Sequence, residues 1–147
     1  MIEIDHEIVI ARPPEVVFDF VTDVANYPAW QPAIQRAEQT SPGEPGVGTQ
    51  VRLVLRGPTG PIDILGEIVT FDRPTEFAMR SITGPAAIQA RCTISQAGAS
   101  GDTRLRLHGS IELQGFLRFA EGQARKIVER EMPIAMADLA RRIEGQV

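Results

Sequence analysis

The sequence has very little of what builds disulfide-bonded, metal-binding or nucleic-acid-binding proteins. Of its 147 residues one is cysteine and two are histidine, which leaves no internal disulfide and few of the ligands that zinc prefers. We therefore predict neither a structural nor a catalytic metal. The net charge is −4 and Lys and Arg are not clustered, so we predict no binding to nucleic acid through phosphate neutralisation.

Long apolar runs are also absent. No stretch approaches the roughly 18 consecutive apolar residues of a membrane-spanning helix. Residues 1–5 alternate between apolar and acidic side chains, as a strand does. They lack the basic flank and the apolar block of a secretion signal. We predict a protein that has no integral membrane association and stays in the cytoplasm. With 43% hydrophobic residues, the length suffices for one domain, residues 1–147, that buries its own core.

Alternation of apolar and polar residues is what the sequence does contain. It predicts a strand at residues 2–10, where every even position except His6 is Ile. Clusters of Gly and Pro, such as 57–61, then separate six further strands, and their short connections indicate antiparallel pairing. In one of these strands two sets of apolar residues compete, which indicates a bulge near Gly66. The six strands are predicted at residues 34–40, 49–56, 62–71, 76–82, 87–95 and 103–114.

Two short helices are predicted between the first and second strands. Pro14 suits a first helical turn at residues 14–22, and Asp23 can cap a further turn. The following segment, residues 26–32, holds two prolines and the only Tyr and Trp of the chain. Such a segment either plugs one end of a core or forms the rim of a pocket.

The last long segment, residues 116–143, repeats its apolar residues at helical spacing and is predicted to be one helix. Pro133 is expected to kink it and open a gap beside the sheet. The apolar stripe consists of Ala120, Ala124, Ile127, Val128, Met132, Ala135, Leu139 and Ile143.

Alternation also assigns the two faces of the sheet. One face is apolar, and Cys92 on it is interpreted as a small buried hydrophobe. The other face is rich in arginine, with Arg52, Arg80, Arg91, Arg104 and Arg106 predicted to point outward.

The order of these elements and several short segments resemble the START-like, or SRPBCC, superfamily, and most closely its polyketide cyclase/dehydrase-like branch. The segments are 11–20 (ARPPEVVFDF), 23–32 (DVANYPAWQP), 46–49 (GVGT), 72–74 (DRP) and 101–104 (GDTR). The resemblance implies an α+β helix-grip fold, in which a curved seven-stranded antiparallel sheet wraps around a long C-terminal helix, with two short helices after the first strand. It also implies a cavity for a hydrophobic small molecule such as a lipid, sterol, polyketide or quinone.

The candidate lining of that cavity combines inward positions of the strands with the stripe of the C-terminal helix. His6, Ser81 and Gln123 are its polar members, able to orient a ligand. The apolar candidates are Trp30, Leu53, Phe77, Met79, Cys92, Ile94, Leu107, Phe116, Phe119 and Ile127.

Three functions are compatible with this sequence. The first is binding of a hydrophobic ligand, the second is catalysis of the cyclase or dehydratase type with His6 in proton transfer, and the third is a protein-interaction module similar to co-chaperones. No phosphate-binding loop, dinucleotide fingerprint or nucleophile elbow is present, so we predict no cofactor and assign no catalytic residue. A filled core would favour the third function, and an inward titratable pair would favour the second.

Overall fold

A computed structural model describes residues 1–57 and 59–145 and contains, within them, seven β-strands and three α-helices. Pro58, in the predicted turn at 57–61, and the last two residues of the predicted domain lie outside the described residues. The strands are β1 (Ile2–Ile10), β2 (Ile34–Gln39), β3 (Gln50–Gly57), β4 (Gly60–Asp72), β5 (Glu76–Thr83), β6 (Ala86–Gln96) and β7 (Thr103–Leu113). The helices are α1 (Pro14–Val21), α2 (Tyr27–Trp30) and α3 (Glu121–Glu144), with 3₁₀ turns at Val24–Asn26 and Gly115–Ala120.

The seven strands form one antiparallel sheet in the order β1-β7-β6-β5-β4-β3-β2. From β2 to β7, strands that are consecutive in the chain pair with each other. β1 pairs with β7 at the other edge of the sheet. The sheet curves around α3, which packs against β1 and against both shorter helices. The predicted α+β helix-grip fold is confirmed. None of the helices in the described part of the chain is long and apolar enough to cross a membrane.

Ion pairs cover the outer face of the sheet, where the arginines were expected to point. Their side chains are 35–60% exposed, so solvent screens the charges and each pair contributes little to stability. The four paired arginines therefore lie on the outer face of the sheet and not in the interior. They join Arg52 to Asp63, Arg91 to Glu76, Arg104 to Glu7 and Arg106 to Asp5.

The predicted bulge near Gly66 is confirmed. The β4–β5 register shifts between Leu65 and Gly66, and it shifts again between Ile68 and Thr70. Ile62, Ile64 and Ile68 are buried in the core, and the second shift lets Phe71 of the other set pack against it. Phe71, beyond the second shift, packs edge-on against Phe18 with ring centroids 5.2 Å apart.

The start of the C-terminal helix differs from the prediction. The α-helix begins at Glu121 rather than at residue 116, because Gly115–Ala120 form a 3₁₀ turn. Its first residue, Gly115, has φ +61°. A 3₁₀ helix repeats every three residues, so the turn buries Leu117 and Ala120 on one side.

Candidate ligand-binding site

A cavity lies between the concave face of the sheet and the middle of α3. The helix contributes Val128 and Met132 to its wall, and the segment after α2 contributes residues 31–34. The inward side chains of the sheet that line it are Ile4, Leu53, Leu55, Met79, Ser81, Ile88, Ala90, Leu107 and Ile111.

Small residues in the middle of the sheet create this space. Gly109 faces Ile4 on one side and Ala90 on the other, and Ala90 faces Met79. These four residues form one row across β1, β7, β6 and β5. The two in the middle of the row, Gly109 and Ala90, carry only a hydrogen atom and a methyl group. Larger residues in that row would fill the gap between the sheet and α3, since close-packed interiors leave few such voids.

The cavity is narrow at its inner end and wider at its mouth. The inner cavity has a volume of about 40 Å³. The adjoining mouth has a volume of about 260 Å³. The narrow part is bordered by Met79 and Met132, whose unbranched side chains adapt easily to a neighbour.

The mouth opens between the first half of α3 and the β3–β4 hairpin. Pro32, Ala33 and Val128 border both the mouth and the inner cavity, so the two spaces adjoin. Arg56, Gln123, Arg130 and Glu131 add a polar rim. The site is thus an apolar interior that is reached through a polar entrance.

Six predicted site residues border these spaces. The inner cavity is lined by Leu53, Met79, Ser81 and Leu107. Gln123 and Ile127 line the mouth, and Ile127 is 41% exposed there.

Four other predicted residues are buried in the core without bordering the cavity or its mouth. Trp30, Phe77, Cys92 and Ile94 are each at most 2% exposed. Trp30 contacts Tyr27 edge-on, with ring centroids 5.9 Å apart. Burial raises the pKa of the Cys92 thiol to about 12, so this group stays protonated near neutral pH and is not poised as a nucleophile.

Three predicted residues lie away from the cavity. Phe116 and Phe119 are 75% and 73% exposed, because the 3₁₀ turn directs them opposite to Leu117 and Ala120. Their assignment to an enclosed lining is corrected on this ground. His6 is half-buried on the inward side of β1 and pairs with Leu107, but it does not border the cavity.

The segment at α2 combines the two roles that the sequence left open. Tyr27 and Trp30 are almost completely buried and close one end of the core, whereas Gln31 and Pro32 form part of the cavity wall. Burial, with smaller contributions from Cys92 and Asp23, raises the pKa of the Tyr27 hydroxyl.

Three buried polar atoms in this segment have no hydrogen-bond partner among the described residues. They are the Tyr27 hydroxyl, Trp30 Nε1 and Gln31 Nε2. An unsatisfied buried polar group costs about 1–3 kcal/mol. Gln31 was not among the predicted lining residues, although it lies in segment 26–32, for which the rim of a pocket was one of the two predicted roles.

A second polar group of the cavity is the Ser81 hydroxyl. Its Oγ accepts a hydrogen bond of 2.8 Å from the backbone N–H of Ile88. The hydroxyl proton therefore remains available for another acceptor.

Comparison with known proteins now adds to this geometry. Residues 1–144 match the family described as polyketide cyclase / dehydrase and lipid transport. The chain belongs to this family. No curated protein sequence matches the chain significantly.

Solved structures similar to this member of the cyclase/dehydrase and lipid transport family share its fold at low identity. A Deinococcus radiodurans protein superposes with a TM-score of 0.79 at 12% identity, covering 98% of both chains. A START superfamily protein from Mycobacterium smegmatis gives 0.74 at 17% identity, covering 97% of both chains. The Zhui aromatase/cyclase from Streptomyces sp. R1128 gives 0.68 at 16% identity, covering 97% of this chain and 91% of the other. The predicted membership of the polyketide cyclase/dehydrase-like branch is confirmed by the family match, and these structures confirm the fold.

Proposed function

We propose that this protein binds one hydrophobic small molecule, of the lipid, sterol, polyketide or quinone type, in the cavity between the sheet and α3. The observation that carries the proposal is an apolar cavity that adjoins a wider mouth with a polar rim. Its wall is formed mainly by Ile, Leu, Met and Val side chains, which favour an apolar guest. The proposal keeps the cytoplasmic location that the sequence predicts.

Catalysis of the cyclase type is the second candidate, because the family description includes cyclases and dehydrases. General acid–base catalysis needs a titratable side chain within hydrogen-bond reach of the substrate. Arg80 and His108 also border the cavity, but alternation along β5 and β7 assigns both to the outer face of the sheet, and His6 does not border the cavity. Among the described residues that line the cavity, the polar ones at inward positions are the neutral Gln31 and Ser81, which supports binding over proton transfer.

A protein-interaction module, the third function considered, would not need a cavity. The space beside Ala90 and Gly109 therefore supports ligand binding over that alternative.

Native mass spectrometry of gently purified protein tests the proposal. We expect a second species whose mass exceeds that of the chain by one small apolar molecule, and we expect mild organic extraction to remove it. Saturation with a neutral apolar dye should give a stoichiometry of one. Protein that carries no compound and also fails to bind the dye would contradict the proposal.

A further inference from the structure

The polar groups of the cavity wall point to a particular class of ligand. Gln31 Nε2 is fully enclosed and has no partner within residues 1–57 and 59–145. The hydroxyl proton of Ser81 is free, because its oxygen already accepts from Ile88 N–H. Both residues line the same cavity, whose other polar residues, Arg80, Gln89 and His108, lie at outward positions of the alternation along β5, β6 and β7.

Both groups are neutral donors, and this determines what they can bind. A ligand oxygen that accepts hydrogen bonds would satisfy Gln31 Nε2, whereas a pure hydrocarbon would leave it unpaired. A carboxylate would need a cation, because a buried charge without a partner is strongly disfavoured. The side chain of Arg80 lies on the outer face, and Arg56 and Arg130 lie only at the mouth.

We infer that the ligand is an apolar molecule with a neutral acceptor oxygen, such as the carbonyl of a ketone or quinone, which accepts a hydrogen bond from Gln31 Nε2. The Ser81 hydroxyl is a second neutral donor on the same cavity wall. This inference rests on the proposed function and specifies the ligand class for the same site. It assigns a binding role to Gln31, which polarity alone would have placed at the surface.

A matched pair of probes tests the inference. Indane and 1-indanone have the same bicyclic frame and differ by one carbonyl oxygen, and their dissociation constants can be measured by displacement of a bound neutral dye. In Gln31→Leu we expect the ratio Kd(indane)/Kd(1-indanone) to fall about five- to ten-fold, as for the loss of one neutral hydrogen bond. Ser81→Ala should lower the same ratio about two- to three-fold. Indane-1-carboxylate should bind more weakly than 1-indanone.

Gln50→Leu is the control, since Gln50 is exposed on β3 and borders neither the cavity nor its mouth. Gln31→Met serves if Gln31→Leu does not fold. If both probes bind and the ratio is the same in Gln31→Leu as in the native protein, the inference is wrong while the proposed function stands. Tighter binding of the carboxylate than of the ketone also overturns the inference. If no probe binds, the proposed function fails, and the inference fails with it.

Discussion

Replacing Gly109 by alanine is expected to lower the free energy of unfolding by about 3 kcal/mol or more, or to prevent folding. An alanine Cβ at this position would lie 2.1 Å from the backbone oxygen of Gln89 and 3.0 Å from Cα of Ala90. Backbone cannot move aside as a flexible side chain can. The clash would separate β6 from β7 near the middle of their ladder, which pairs eleven residues of each strand.

Gly122→Ala is the matched control for this substitution. Gly122 lies in the first turn of α3, and an added Cβ meets nothing within 4 Å. Alanine there should leave the free energy of unfolding unchanged or raise it by up to about 1 kcal/mol, because alanine favours helix. Urea unfolding followed by circular dichroism measures both variants. Equal midpoints for Gly109→Ala and Gly122→Ala would show that β7 does not approach β6 this closely.

Replacing Met79 by tryptophan is expected to weaken binding of a neutral apolar dye such as Nile red at least about ten-fold, a loss of roughly 1.4 kcal/mol or more. Met79 borders the narrow part of the cavity and faces Ala90 across the β5–β6 ladder. An indole in this position fills space that the dye would otherwise occupy. Because the residue borders a void, we expect a stability cost of no more than about 3 kcal/mol.

The control for the dye experiment is Val47→Trp, which adds the same indole at a site that is 71% exposed and away from the cavity. Dye fluorescence titrations of both variants, with thermal melts to verify folding, give the comparison. Ala90→Ile fills the same row from the neighbouring strand and is used if Met79→Trp does not fold. Native-like affinity in a folded Met79→Trp protein would place the dye outside the cavity.

The strands and their faces were predictable because burial of one side of a sheet imposes a period of two on the sequence. The same period predicted the bulge, since Gly66 lies where two apolar sets overlap in β4. The outward direction of Arg104 and Arg106 follows for the same reason, and both form ion pairs with acids on β1. These features depend on local pattern alone.

The cavity was harder to predict because its size depends on which residues face one another across strands. Gly109 and Ala90 each look ordinary in sequence, and only the register of β6 with β7 makes them neighbours. Phe116 and Phe119 were placed inward by extending a helical spacing of 3.6 into a turn that repeats every three residues. Gln31 was missed because alternation gives no information in an irregular segment.

Methionine methyl NMR tests the central claim, ligand binding between the sheet and α3, most directly. The chain has four methionines. Met79 and Met132 border the cavity, Met136 is buried on α3, and Met1 is exposed. On titration with indane, we predict that the ¹³C-methyl signals of Met79 and Met132 shift together with one dissociation constant while the Met1 signal stays in place. A bound probe that leaves both cavity methyls unshifted would contradict the account.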